Sequence, residues 1–171
     1  MENFTNETID TARLPKFEEV LLTPLHPNYW KVTIINLLIF FSILGTALGL
    51  FLFYVEEALD SRTQILIGFA ILASLIFFFS RIAYKKKGFA FRNHDVLFRN
   101  GIIATNTIVI PYNRVQHVAL HEGLVSRYFG LAKIEIFTAG GSSSDIEIPG
   151  IQKEQAENIK QLLMGKIQKQ L

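Results

Sequence analysis

Two stretches, Val32 to Val55 and Ile65 to Tyr84, constrain this chain more than any other feature. The first has no charged residue, and the second has one, Arg81, close to its end. As helices rising about 1.5 Å per residue, they would be about 36 Å and about 30 Å long, each enough to cross a hydrocarbon core of ~30 Å. A soluble chain of 171 residues has too little interior to bury two such helices. Two transmembrane helices near the N-terminus are therefore predicted, with the stem of Arg81 reaching from the last turn to the headgroups. A cleaved signal peptide fits the first stretch poorly. Its apolar run is too long, and the segment before it holds three basic residues against five acidic ones.

Charge placement predicts the orientation. Glu56, Glu57 and Asp60 stand against Arg62 between the spans, whereas Arg81, Lys85, Lys86 and Lys87 follow the second and Lys31 flanks the first. Basic residues near span ends stay on the cytoplasmic side. Both termini are thus expected in the cytoplasm of a plasma (inner) membrane protein, with a short loop outside. Tyr29, Trp30, Tyr54 and Tyr84 occupy interfacial positions. Inside the first span Ser42, Gly45 and Gly49 form a small-residue edge, and Ala70 and Ser74 form a second in the other span. Such edges allow close helix approach. They read either as the packing seam of a hairpin or as a docking face for a partner's helix. Asn36 is the one amide within the spans.

The expected organisation is a cytoplasmic tail over 1–28, a membrane region over 29–87 and a cytoplasmic domain over 88–171. In the tail, Phe17 to Leu22 suggests a short interfacial helical turn, Pro15, Pro24 and Pro27 oppose a long helix, and His26 reads as an interfacial polar residue. From Gly88 the pattern changes to short strands: Phe89–Arg92, Val96–Arg99, Ile102–Ala104, Thr107–Ile110, Val115–His121, Lys133–Ala139 and Asp145–Ile148. Asn100-Gly101 is a hairpin signal and Pro111 belongs at a strand edge. Ala156, Ile159, Leu163 and Ile167 then repeat with helical spacing. The fold class is a two-helix transmembrane hairpin plus an α+β domain, an antiparallel sheet with a C-terminal helix.

Three segments carry a resemblance: Ile110-Pro-Tyr-Asn-Arg-Val-Gln-His-Val, Ser126-Arg-Tyr-Phe-Gly-Leu-Ala and Thr138-Ala-Gly-Gly. Together with the preceding spans, they resemble the membrane-flanked bacterial pleckstrin-homology-like domain of the YdbS/YdbT family over about residues 25 to 170. The resemblance implies a pleckstrin-homology-like β-barrel of about seven strands with a C-terminal helix. It also implies partnership with a larger membrane protein carrying several such domains, and a link to resistance against membrane-active antimicrobials. In the matching positions Pro111 would set a bend, and Arg114 and Gln116 would lie opposite Val115. Arg127 would tie a loop to the barrel, and Gly130 and Gly140 would serve turns.

Catalytic chemistry finds little support. His117 and His121 have the spacing of a helical metal site but fall in a predicted strand. Glu135 and Glu147 can face each other across a hairpin, which does not by itself make an acid–base pair. No cofactor, metal or catalytic residue is expected. The net charge of +2 gives no reason to expect nucleic-acid binding. Arg81, Lys85, Lys86 and Lys87, with Arg92 nearby, serve topology or bind lipid headgroups, while Lys160, Lys166 and Lys169 read as the solvated face of the last helix. The sequence thus points to a non-enzymatic interaction module that docks another membrane protein. The alternative is a sensor of anionic lipid or envelope stress. Membrane lipids, another membrane protein and a further copy of the chain are the partners considered.

Overall fold

The apolar stretches form two helices, α1 (Pro27–Tyr54) and α2 (Arg62–Lys86), both with most of their surface uncovered by protein. The computed structural model describes Thr8, Asp10 and residues 17–55, 60–139 and 146–168. Glu56, Glu57 and Gly140 lie outside the described residues. α1 begins well before Val32. Pro27 stands at its first turn, where a missing N–H costs nothing, and the His26 ring accepts a hydrogen bond from the Asn28 N–H at 3.2 Å. The helices meet through aromatic rings: Phe41 lies 5.8 Å from Phe69 and 6.1 Å from Phe77. Gly45 admits the Phe69 ring, which would sit 3.6 Å from a Cβ at that position.

A strand precedes the hairpin. β1 (Thr23–Pro24) pairs antiparallel with β2 (Gly88–Phe91), so the chain enters one sheet, leaves for both helices and returns to the neighbouring position. β3 (Asp95–Asn100) and β4 (Asn106–Pro111) continue this sheet in the order β1-β2-β3-β4. β5 (Val115–His121), β6 (Leu131–Thr138) and β7 (Ile146–Gln152) form a second antiparallel sheet. Between β5 and β6 lies the short helix α3 (Leu124–Tyr128), and α4 (Lys153–Gln168) closes the fold. Seven strands among the described residues and a terminal helix match the expected architecture. One strand, however, comes from the segment expected to be a tail, and the boundary expected at residue 28 is crossed by sheet hydrogen bonds.

The two sheets share one core. Phe89, Val96, Phe98 and Ile110 from one side meet Val118, Ile134, Ile136, Ile146 and Ile148 from the other. In β6 the outward Lys133 and Glu135 alternate with inward Ile134 and Ile136, as a strand with one wet face requires. Ala156 and Leu163 of α4 enter the same core, with Ile159 packed against it. So does Leu25, 3% exposed, from before the hairpin, and Tyr29 and Tyr84 at the helix ends pack on it. The hairpin and the sheets are therefore continuous in packing.

Two expectations change. Ile102 to Ala104 is a turn, because Gly101 takes φ +118, where a Cβ would stand 1.9 Å from the Ala104 carbonyl oxygen. Lys166 is not simply solvated: its Nζ donates to the Asn93 carbonyl at 3.2 Å and lies 5.8 Å from the Tyr112 ring centre.

Candidate membrane-facing site

The helix ends nearest the sheets carry the residues expected at a headgroup layer, and they interlock. Trp30 lies 5.9 Å from Tyr84, and Tyr29 lies 6.4 Å from Tyr84. The Arg81 guanidinium sits over both Trp30, at 4.8 Å, and Tyr84, at 5.4 Å. This is a cation–π stack in the place where amphipathic rings favour the membrane–water boundary. The stack marks one common depth on α1 and α2.

Below it, the N-terminal segment is bound to β7. The His26 N–H donates to the Gly150 carbonyl at 2.9 Å, and the His26 ring lies 3.1 Å from the Gln152 amide nitrogen. The Tyr84 hydroxyl reaches the His26 carbonyl at 3.5 Å. Gly150 has φ +67, and a Cβ there would lie 2.5 Å from Tyr29 Cγ and 2.6 Å from Tyr29 Cβ. His26 thus caps α1 and ties the chain before it to β7. Sequence reasoning missed Gly150, because Pro149-Gly150 looks like a strand end while β7 runs on to Gln152.

The expected headgroup residues do not form one patch. Lys85 is exposed, and Lys86 donates through Nζ to the Ile102 carbonyl at 2.6 Å, tying the β3–β4 turn to the end of α2. Lys87 turns inward, and burial lowers its pKa while Glu147 opposes that shift. Arg92 makes a two-point ion pair with Asp95, 2.6 and 2.5 Å. It lies five residues beyond Lys87, about 16 Å at strand spacing. Arg99, not singled out by the sequence, pairs in register with Gly88 at the helix exit, and its Nε is buried without a hydrogen-bond partner among the described residues.

Two cavities open beside Tyr29. One, of about 580 Å³, is lined by Lys87, Asn100, Lys133 and Glu147 between the two sheets. The other, of about 480 Å³, runs between α1 and α3 and is lined by Val32, Asn36, Ser126 and Glu135. Glu135 and Glu147 pair directly across β6 and β7, as anticipated. Lys133 bridges them at 2.5 and 3.1 Å, and His121 stands 3.1 Å from Glu135. Like charges opposite each other on a sheet are unfavourable, and the lysine relieves this.

The bond to Glu135 raises the Lys133 ammonium above the ordinary lysine range, with desolvation opposing and Glu147 adding. A cation raised in the folded state contributes fully below its unfolded pKa and loses that contribution as pH climbs through the folded value. The melting-temperature gap between the wild type and K133M in detergent should therefore be widest near neutral pH and close above the lysine range. A gap that stays constant at alkaline pH would rule out this role.

The remaining predicted residues are separated. Gly45 packs within the hairpin, while Ala70 and Ser74 line a groove of about 560 Å³ whose lining residues all lie on α2. Thr46 Oγ1 donates to the Ser42 carbonyl, and Ser74 Oγ to the Ala70 carbonyl, both at 2.8 Å. Gly49 lines a smaller pocket with Leu52 and Arg62 near the far end of the helices. Pro111 ends β4, Arg114 and Gln116 are exposed on either side of buried Val115, and Gly130 takes φ +66. Arg127 is exposed on α3, where its backbone, rather than its side chain, holds the turn: its N–H donates to Gly123 and its carbonyl accepts from Gly130. His117 stacks on Phe137 at 4.1 Å.

A two-helix membrane hairpin whose flanking segments complete a helix-capped antiparallel domain defines a membrane-anchored pleckstrin-homology-like protein. The sequence model of the bacterial PH domain matches residues 34–167, and the chain belongs to that family. It is 26% identical over 85 residues to the UPF0699 transmembrane protein YdbS of Bacillus subtilis (strain 168), a stretch covering 50% of this chain and 52% of YdbS. It is 34% identical over 85 residues to the UPF0699 transmembrane protein YdbT of the same organism, covering 48% of this chain and 17% of YdbT. The matched stretches thus span about half of one relative and about a sixth of the other. No solved structure matches significantly. The apolar helices and the transmembrane relatives together make this a membrane protein. The family match begins inside α1 and so leaves out the segment that completes the sheet.

Proposed function

We propose that the chain is a non-enzymatic docking module of the plasma membrane. α1 and α2 cross the bilayer with the short connection outside, and both termini and the sheet domain lie in the cytoplasm. Pairing of β1 with β2 supports this arrangement, because strands flanking the hairpin can meet only if both its ends are on one side. The partner is another membrane protein, a larger one carrying domains of the same type.

The observation that carries this reading is the groove on α2. Ala70 and Ser74 lie with Ile67, Ile71 and Phe78 along an exposed groove of α2, beside the edge where Phe77 meets α1. Small residues flanked by apolar ridges suit close approach of a second helix. The test is crosslinking and co-purification from native membranes in mild detergent. A70L/S74L should lose the companion protein while the melting temperature holds; a wild-type chain that emerges with no companion defeats the proposal.

A second reading is favoured by the cavity that Lys87 lines, opposite a Lys133 already paired with Glu147: a phosphate-bearing headgroup there would meet Lys87, which makes the chain a sensor of anionic lipid or envelope stress. Full-length protein in nanodiscs with and without phosphatidylglycerol separates the two readings. The sensor requires a shift in Lys87 accessibility with the anionic lipid, and docking does not.

A further inference from the structure

Among the described residues outside the membrane helices, four large apolar side chains are almost wholly exposed: Leu21 at 93%, Ile103 at 95%, Leu124 at 90% and Tyr128 at 86%. Singly, such residues are ordinary on a protein surface; what sets three of them apart is where they stand. Leu21 lies on the β1 side of the domain. Continuing the β1–β2 register carries it toward Phe91, away from the helix exit. The other three lie on elements held against the helices.

α3, bearing Leu124 and Tyr128, packs against α1. The cavity between them is lined by Tyr29, Val32 and Asn36, so α3 stands beside the first turns of the span and not beneath it. Val32 is 1% exposed there, although it belongs to the apolar stretch. The β3–β4 turn, bearing Ile103, is fixed to the end of α2 by the bond from Lys86 to Ile102. The Trp30, Arg81 and Tyr84 stack gives both helices their headgroup depth. One apolar element therefore sits beside α1 and another beside α2, both close to that depth.

We propose that α3 and the β3–β4 turn insert into the boundary between headgroups and acyl chains of the leaflet that α1 and α2 enter. Leu124, Tyr128 and Ile103 would be the inserted side chains. The lipid leaflet is the occupant because it surrounds the hairpin and continues directly from the surface of the spans onto both elements, whereas a single partner helix would cover one flank. Apolar side chains at this boundary bury the area that holds interfacial helices to membranes, while Tyr128 keeps its hydroxyl at the polar level. The domain would then lie seated in the leaflet on both sides of its anchor. This seat is independent of partner docking on α2.

The chain contains no cysteine, so single-cysteine variants need no background removed. I103C, L124C, Y128C and L21C, each in the full-length protein, would be labelled with bimane and reconstituted without other proteins into phosphatidylethanolamine/phosphatidylglycerol vesicles. F53C, in the span, is the lipid reference. All four test positions are so exposed that the substitutions remove little packing. Lipid-borne nitroxide should quench the labels at 103 and at 124 or 128 several-fold more than the label at 21, and aqueous iodide should show the reverse. Quenching at 103 together with either α3 position supports the seat. Lipid quenching no stronger than at 21, on either element, overturns it. Protection from both quenchers, which would mean a second copy covers these residues, overturns it too.

Discussion

G150A is expected to lower the stability of the whole protein by about 2 to 5 kcal/mol, from left-handed strain plus overpacking. Two effects act at this position. Gly150 has φ +67, which an L-residue adopts only at a cost. The new methyl would also lie 2.5 Å from Tyr29 Cγ and 2.6 Å from Tyr29 Cβ, so rotation of the tyrosine ring cannot relieve the clash. α1 or β7 has to move, and the bond from the His26 N–H to the Gly150 carbonyl lies on that seam. G130A isolates the first effect: Gly130 has φ +66, but a Cβ there meets nothing within 4 Å. It should cost about 1 kcal/mol. Melting in one detergent compares them directly. Equal losses for the two variants would show that the contact between hairpin and domain does not constrain the fold.

The second large effect concerns the domain taken alone. Residues 88–171 begin at β2 and read as a complete unit, yet their sheet lacks β1 and their core lacks Leu25. Burial of Leu25 is worth about 1.5 to 3 kcal/mol, and each lost hydrogen bond about 1 kcal/mol more. A small domain holds only about 5 to 15 kcal/mol in total and sits toward the low end of that range. The excised fragment should therefore show poor amide dispersion, dye binding and rapid proteolysis. Joining residues 20–28 to Gly88 by a short Gly/Ser linker, in place of the hairpin, should restore dispersion and protease resistance. The linker is feasible because Tyr29 and Tyr84 bring the helix ends together. A well-dispersed fragment without residues 20–28 would count against the seam.

The sequence displayed the features governed by composition and local period. Val32 to Val55 and Ile65 to Tyr84 are apolar enough to identify the spans unaided, and Ile134 and Ile136 alternating with Lys133 and Glu135 mark β6 as strand. Glu135 against Glu147 follows from the same hairpin. Features that depend on distant partners were hidden. β1 is two residues long and ends in proline, so its only signal is an open edge on β2, on the far side of both helices. α3 is too short for a periodic pattern. Gly101 and Gly150 each carry the φ that glycine permits, but the sequence does not reveal which glycine breaks a strand and which lets it continue. The basic residues were countable in sequence, whereas the Ile102 carbonyl that takes Lys86 and the Asp95 that takes Arg92 depend on the fold.

The early strand also fixes an order of events. Synthesis delivers Thr23–Pro24 first, then two helices that belong in lipid, and only afterwards the edge that strand must join. In the proposed topology, with both helices crossing the bilayer, the domain's closing step waits on insertion. A chain whose second helix failed to return across the bilayer would leave β1 and β2 in different compartments, with the core around Leu25 open and sticky. Under the proposed topology, completion of the sheet would work as a check that the hairpin has been threaded correctly, which quality-control proteases that recognise exposed apolar surface could read.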